Sequence, residues 1–384
     1  MENESNKNPL TGKKIALFIV YAIVAACLLI TVLSFNDLPG IMEQLKTVDF
    51  KFVLLATLMV LIYMALYPLS LCILTKARKT DIKFGTTYCI AMTEHFFNGI
   101  TPLATGGQPF PAHMYSRAKV KLSESTGLLL TNLLIYMGVT NGFALLGLVY
   151  FDVFTRYIDS WWIPIIIIGY TLNLSVVVAI IVLGTSVKVR NWLMRVVNFF
   201  LKFKLFSRYQ SKAEGISTYF EEVQSAFHEL KNNKKAFIGA VITKILSFGF
   251  LYSATYFILL SLNVDAGISH LPLALFGISF AITAVGFVPT PGASGGVEGS
   301  AGQVLKSIII FIAGGTATAT VALTANGVML IWRLLSYYFV MAVSLLFYFG
   351  LSFYFARKDK KEKMLIAQGK CQPDDADADQ AEGA

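Results

Sequence analysis

The chain has 384 residues, of which 55% are hydrophobic and only 14% are charged. Soluble domains carry about 25% charged residues, so the composition excludes a water-facing enzyme of this size, and it equally excludes a disordered chain. The net charge of +9 falls between apolar runs, where it sets membrane orientation rather than nucleic-acid binding.

Residues 1–14 are polar and end in Lys13-Lys14. Residues 15–35 form an apolar run of about the 20 residues a span needs. Its polar exit at Asn36-Asp37 argues for a retained anchor rather than a cleaved signal. Further uninterrupted runs are predicted at 52–74, 126–151, 162–184 and 236–262. The last, 318–355, is too long for one straight span. It is expected to tilt, to kink near Asn326-Gly327, or to leave the hydrocarbon. Long runs of this kind exclude an outer-membrane barrel, whose strands alternate.

Two apolar stretches are broken. Residues 84–100 stop at Thr101-Pro102 and resume weakly before Arg117, Lys119 and Lys121. Residues 271–288 stop at Pro289-Thr290-Pro291-Gly292 and resume at 297–312. Basic clusters at 13–14, 76–83, 117–121, 188–235 and 357–363 are expected on the cytoplasmic side, with both termini. The first broken stretch lies between two such clusters and reads as a re-entrant hairpin. The second is either a hairpin from the outside or two crossings.

Residues 187–206 place Val189, Trp192, Leu193, Val196, Val197 and Phe200 at helical spacing, with Arg190, Arg195 and Lys202 largely off that face. That pattern predicts an amphipathic helix lying on an anionic leaflet or packed as a lid. A second is expected around 216–230. The tail, residues 357–384, is basic, then acidic, and is expected to be disordered. Cys27, Cys72, Cys89 and Cys371 show no metal spacing, and no metal or cofactor is expected.

The strongest signal is internal. Thr101-Pro102-Leu103-Ala104-Thr105-Gly106-Gly107 matches Thr290-Pro291-Gly292-Ala293-Ser294-Gly295-Gly296. Three uninterrupted runs separate the copies, an odd number, so they approach the bilayer from opposite sides. That is the pattern of inverted repeats with broken helices around a midplane site. Proline ends a helix, and glycine pairs let the chain turn. The freed backbone groups need partners and can hold an anion at a helix N-terminus.

Ionisable residues within apolar stretches are costly and usually paired or functional. Glu94 precedes the first motif, Glu298 follows the second, and Arg333 lies in the last run. A Glu298–Arg333 pair is expected, either fixing helix packing or contacting a headgroup. Glu94 could serve the first half in the same way. Asn98 and Gln108 are further candidates, and His95, His113 and Lys306 weaker ones. No enzyme motif or metal cluster is present in the sequence, so no catalytic residues are assigned.

The segments Asn98 to Phe110 (N-G-I-T-P-L-A-T-G-G-Q-P-F) and Val288 to Glu298 (V-P-T-P-G-A-S-G-G-V-E), with Arg333 beyond them, resemble the flippase-like membrane domain of lysylphosphatidylglycerol synthase, the multiple peptide resistance factor of bacteria. The resemblance covers roughly residues 10–357. Family members often carry Gly-Glu where this chain has Gly107-Gln108, which removes a charge from that position. The resemblance implies a domain that moves aminoacylated phosphatidylglycerol between leaflets of the bacterial inner membrane and contributes to antimicrobial peptide resistance. The family's aminoacyl-transferase domain is not in this sequence, so a stand-alone member is expected.

The expected architecture is all-α, a polytopic membrane protein with two inverted, broken-helix repeats in residues 15–356. The expected function is a lipid translocase for an anionic or aminoacylated phospholipid. Its substrate residues would be Glu94, Asn98, Thr101, Pro102, Gly106, Gly107, Gln108, Thr290, Pro291, Gly292, Gly295, Gly296, Glu298 and Arg333. The alternatives are an ion-coupled transporter of a small solute and a subunit that recruits a lipid-modifying enzyme through 187–235. Expected partners are membrane phospholipids, such an enzyme, or a second copy of the chain, and no nucleic acid.

Overall fold

The structure, a computed structural model, describes residues 37–80, 82–201, 221, 225, 233–316 and 318–368. The expected anchor at 15–35, the second amphipathic helix at 216–230 and the acidic end of the tail lie outside these residues or almost wholly so. Among the described residues the regular structure is helical, and the protein is an all-α, polytopic membrane protein. Five helices or helix pairs are long and apolar enough to cross a bilayer: Phe50–Ala77, Glu124–Arg156, Trp162–Ala179, Lys234–Ser261 and Thr320–Lys361. Each coincides with an uninterrupted run read from the sequence.

A short helix α1 (Leu38–Gln44) leads into α2 (Phe50–Leu66) and α3 (Leu69–Ala77). Asp49 starts α2 by accepting from the Lys51 amide at 3.0 Å, the usual N-cap device. Pro68 separates α2 from α3 because it has no N–H to give the Met64 carbonyl. Tyr88 fills part of that gap, its hydroxyl lying 3.3 Å from Ala65 O and 3.5 Å from Met64 O. Helix α4 (Phe84–Ile100), the first motif and α5 (Pro109–Arg117) form the first broken stretch. Then come α6 (Leu122–Gly147), a single turn α7 (Phe151–Arg156), α8 (Trp162–Thr185) and α9 (Val187–Leu201). Helix α10 (Lys234–Ser261) is capped by Asn233, which accepts from the Ala236 amide. The second broken stretch is α11 (Leu271–Ala284), the second motif and α12 (Gly296–Ile312). Helix α13 (Ala319–Arg333), a π-helical segment Leu334–Phe339 and α14 (Val340–Ala367) complete the described chain.

Both broken stretches are hairpins. At the base of the first, Thr80 donates to Glu124 at 2.8 Å and Arg78 Nη1 donates to the Glu124 carbonyl at 2.9 Å. At the base of the second, the His270 and Phe311 rings meet edge to face at 6.4 Å. Helix α10 runs antiparallel to α2–α3, since Asp49 N donates to Ser261 O at one end and Gly239 lies beside Ile73 at the other. The first hairpin therefore opens at the Ile73 end of the bundle and the second at the Ser261 end. Helices α4 and α12 have 17 residues each, about 26 Å, short of the ~30 Å hydrocarbon thickness.

Two expectations change. The last apolar run is regular through Asn326-Gly327, and its irregularity is the π-helical segment after Arg333. Helix α14 extends to Ala367, so the basic stretch from Arg357 is helical. Arg117 pairs with Asp359 at 2.6 Å and its guanidinium covers Phe355, which holds that stretch against the end of α5. Helix α9 leaves Trp192 and Phe199 exposed, as expected for an amphipathic helix at an interface.

Candidate functional site

The two motifs meet. Pro102 and Pro291 pair as an isolated antiparallel bridge. Neither proline has an N–H, so the pairing rests on the residues beside them. The copies also share a conformation. Ala104 N donates to Thr101 O as Ala293 N does to Thr290 O, and Thr105 N donates to Pro102 O as Ser294 N does to Pro291 O. The hydroxyls of Thr105 and Ser294 each bond back to the preceding proline carbonyl, at 3.1 and 2.9 Å. Both copies hold their third and fourth residues at positive φ: Leu103 and Ala104 at 55° and 53°, Gly292 and Ala293 at 61° and 50°.

Only Gly292 adopts that conformation without side-chain strain. An L-residue in the left-handed region costs roughly 1–2 kcal/mol. Leu103 bears that cost with a side chain that is 52% exposed and so gains little from burial. Leu103→Gly is therefore expected to raise stability by about 0.5–1 kcal/mol, after the entropic penalty of glycine, as read by thermal unfolding in detergent.

Glu298 and Arg333 form the expected pair. Arg333 Nε donates to Glu298 Oε1 at 2.7 Å, and Arg333 Nη2 donates to the Gly292 carbonyl at 3.0 Å. Glu298 Oε2 accepts from the Gly295 amide at 2.7 Å, as the third residue of a helix does in a capping box. Both side chains are buried, at 3% and 1% exposure. Arg333 thus ties the second loop to α12 and α13, and its plane lies over the Tyr337 ring at 4.9 Å. The Tyr337 hydroxyl donates to the Gly99 carbonyl at 2.8 Å, at the end of α4. The same ring fills the space where a Cβ on Gly292 would lie. One tyrosine therefore touches both halves. Ser344 adds a second tie, accepting from Phe96 N at 2.9 Å and donating to Met92 O. π-Helical turns of the Leu334–Phe339 kind recur at functional sites.

Around the first motif, Thr101 Oγ1 donates to Phe97 O at 2.6 Å and accepts from Gly106 N at 2.9 Å. The Asn98 side chain occupies the space over Gly107, where a Cβ would collide with it. The buried atoms Asn98 Oδ1, Gln108 Oε1 and His95 Nε2 have no hydrogen-bond partner among the described residues. Unsatisfied buried polar atoms are rare in folded proteins and point to an unseen water or ligand. Thr290 donates to the Ser294 carbonyl at 2.8 Å, and Gly296 packs against Val288.

Glu94 is not in this cluster. It is buried at 3% exposure and accepts from the Tyr67 hydroxyl at 2.8 Å and from Asn132 Nδ2 at 3.3 Å. Asn132 in turn accepts from Ser70 at 3.2 Å. Beside them lies Lys244, fully buried, with Nζ 3.2 Å from the centroid of the Tyr67 ring. Sequence reasoning passed over Lys244, although a lysine in the run 236–262 is itself a signal. Tyr67, Asn132, Tyr337 and Ser344 carried no such signal, because their partners are remote in sequence. Lys306 pairs with Asp159 at 3.4 Å on the surface, and His113 is exposed. Among the described residues no group of acidic, His or Cys side chains is arranged to hold a metal.

The chain is 25% identical over 353 residues to a UPF0104 membrane protein of Methanothermobacter thermautotrophicus, covering 88% of this chain and 96% of that protein. The family described as the lysylphosphatidylglycerol synthase TM region matches residues 15–344, most of the chain, including both motifs and Arg333. The chain belongs to the lysylphosphatidylglycerol synthase transmembrane-region family.

Proposed function

We propose that the protein is a lipid translocase whose two hairpins are inverted repeats, and that their joined tips hold the headgroup of an anionic or aminoacylated phospholipid near the bilayer midplane. The observation that carries this reading is the Pro102–Pro291 bridge with Arg333 beside it. Broken helices that meet inside a membrane protein leave backbone polar groups where only protein, water or a ligand can satisfy them. Arg333, oriented by Glu298 and the Gly292 carbonyl, supplies the positive charge a phosphate needs. Asn98 and Gln108 have buried amide oxygens without partners among the described residues, acceptors for a headgroup hydroxyl or ammonium rather than for the phosphate itself. Because both Glu298 oxygens are engaged, Glu298 positions Arg333 rather than meeting the lipid itself.

Acyl chains have a place to lie. A groove of about 490 Å³ between α6, α8 and α10 is lined by Leu134, Gly138, Gly142, Phe143, Val177 and Val241, among other apolar residues. A Cβ added at Gly138 or Gly142 would meet nothing within 4 Å.

The test is leaflet exchange in proteoliposomes, with labelled phosphatidylglycerol, its lysyl ester and a polyprenyl phosphate offered separately. Movement of one class, reduced at least a hundredfold in Arg333→Gln, is expected. Uptake of a water-soluble tracer with no lipid movement would replace this reading with solute transport. Folded protein that moves neither would favour a subunit acting through a partner enzyme.

A further inference from the structure

The Glu94 cluster lies apart from the headgroup site and is left unused by it. Its geometry is unusual for a buried charge pair. Lys244 Nζ bonds the Tyr67 carbonyl at 3.4 Å and sits 3.2 Å above the centroid of the Tyr67 ring. Among the described residues no carboxylate lies within 4 Å of it. Glu94 is reached instead through the ring, because the Tyr67 hydroxyl donates to it. A phenol that donates to a carboxylate gains electron density, which strengthens its attraction for a cation over its face. The two charges therefore balance through one side chain.

The surroundings are closed. Tyr63 and Tyr67 face the cluster from α2 and its end, His95 from α4 itself, Tyr115 from α5, Asn132 and Tyr136 from α6, and Tyr252 from α10. Helix α14 contributes Ser344 beside Met92 and Phe96. The charges of this set are those of Glu94 and Lys244, with neutral phenols and one imidazole around them. Along α4 the cluster continues into His95 and Asn98, whose Nε2 and Oδ1 are buried without partners among the described residues, and then into Thr101 of the first motif.

We propose that Glu94 and Lys244 couple one proton to the movement of each anionic headgroup. This rests on the lipid-translocase reading above. A proton taken from water neutralises the Glu94 carboxylate and leaves the Lys244 ammonium unbalanced in a buried site, which is costly. A phosphate monoanion drawn into the adjoining first motif restores neutrality. When the headgroup departs on the other side, Glu94 returns its proton to water there. The proton is the only group transferred, no covalent bond to the lipid changes, and the cycle moves no net charge.

The experiment uses purified full-length protein in phosphatidylcholine vesicles with labelled phosphatidylglycerol and an imposed gradient of one pH unit. One proton per lipid predicts a steady leaflet ratio of about tenfold, with label accumulating on the alkaline side. In weakly buffered detergent solution, adding phosphatidylglycerol should draw about one proton per chain from a pH dye. In Glu94→Gln the leaflet ratio should no longer follow the gradient and the proton uptake should vanish. Tyr67→Phe keeps the ring for Lys244 but removes the donor to Glu94, and should shift the pH at which uptake is half complete. Wild-type protein that equalises the leaflets despite the gradient would overturn proton coupling and leave the translocase reading standing. So would a Glu94→Gln protein that still accumulates label tenfold. No lipid movement at any pH, with no proton uptake on adding lipid, would overturn both.

Discussion

Arg333→Met should lower stability by about 3–5 kcal/mol and abolish lipid movement. The loss arises because Glu298 would stay buried as an uncompensated charge, still accepting from the Gly295 amide. Glu298→Gln should cost a similar amount by leaving the guanidinium unpaired. The combined variant, Glu298→Gln with Arg333→Met, removes both charges and should recover most of the stability, since a buried ion pair is worth little against apolar replacements. It should not recover transport. Thermal unfolding in detergent reads the first quantity and leaflet exchange the second. If the combined variant moves lipid at the wild-type rate, Arg333 is a packing residue and the headgroup lies elsewhere.

Gly292→Val is expected to be the most damaging change in either loop, at about 2–5 kcal/mol. Position 292 has φ 61°, which a β-branched residue adopts poorly. The new side chain would also collide with the Tyr337 ring. Displacing that ring breaks its bond to the Gly99 carbonyl, so a defect in the second loop should reach the first. Gly292→Ala should show a smaller version of the same effect. Cross-linking a cysteine pair placed at Leu103 and Thr290 would report whether the loops have separated. Unchanged cross-linking in Gly292→Val would show that Tyr337 does not carry the strain across.

Much of the fold could be read from the sequence because bilayer thickness imposes a length on apolar runs. The runs at 52–74, 126–151, 162–184 and 236–262 all correspond to spanning helices. The repeated motif was equally legible, since proline and glycine mark the breaks directly. Whether the second stretch re-enters or crosses twice was not, because charge counting allows both topologies and both bring His270 and Phe311 to the same end of the hairpin. Glu298 and Arg333 were paired correctly from their rarity inside apolar runs. Glu94 was placed with the same site, yet its partners Tyr67 and Lys244 come from helices whose packing no local pattern encodes. Tyr337 and Ser344 stayed hidden for the same reason. Aromatic and hydroxyl side chains are unremarkable in a membrane helix, and their importance lies in which carbonyl they meet.

The ties from Tyr337 and Ser344 also bear on how the chain is made. The amide of Phe96 meets Ser344 only after 248 further residues have been added, and the Gly99 carbonyl waits 238 residues for Tyr337. At ordinary translation speeds of about 5–20 residues per second, that delay is on the order of 10–50 s. For most of it the first hairpin lacks its partner loop, and throughout it lacks its clamp from the last helix. The open helix end at Thr101 then has only water, lipid headgroups or an insertion factor to satisfy it. Truncated chains that stop before Leu334 should accordingly be recognised as unfinished and degraded, and the last helix acts as the step that completes assembly of the first half.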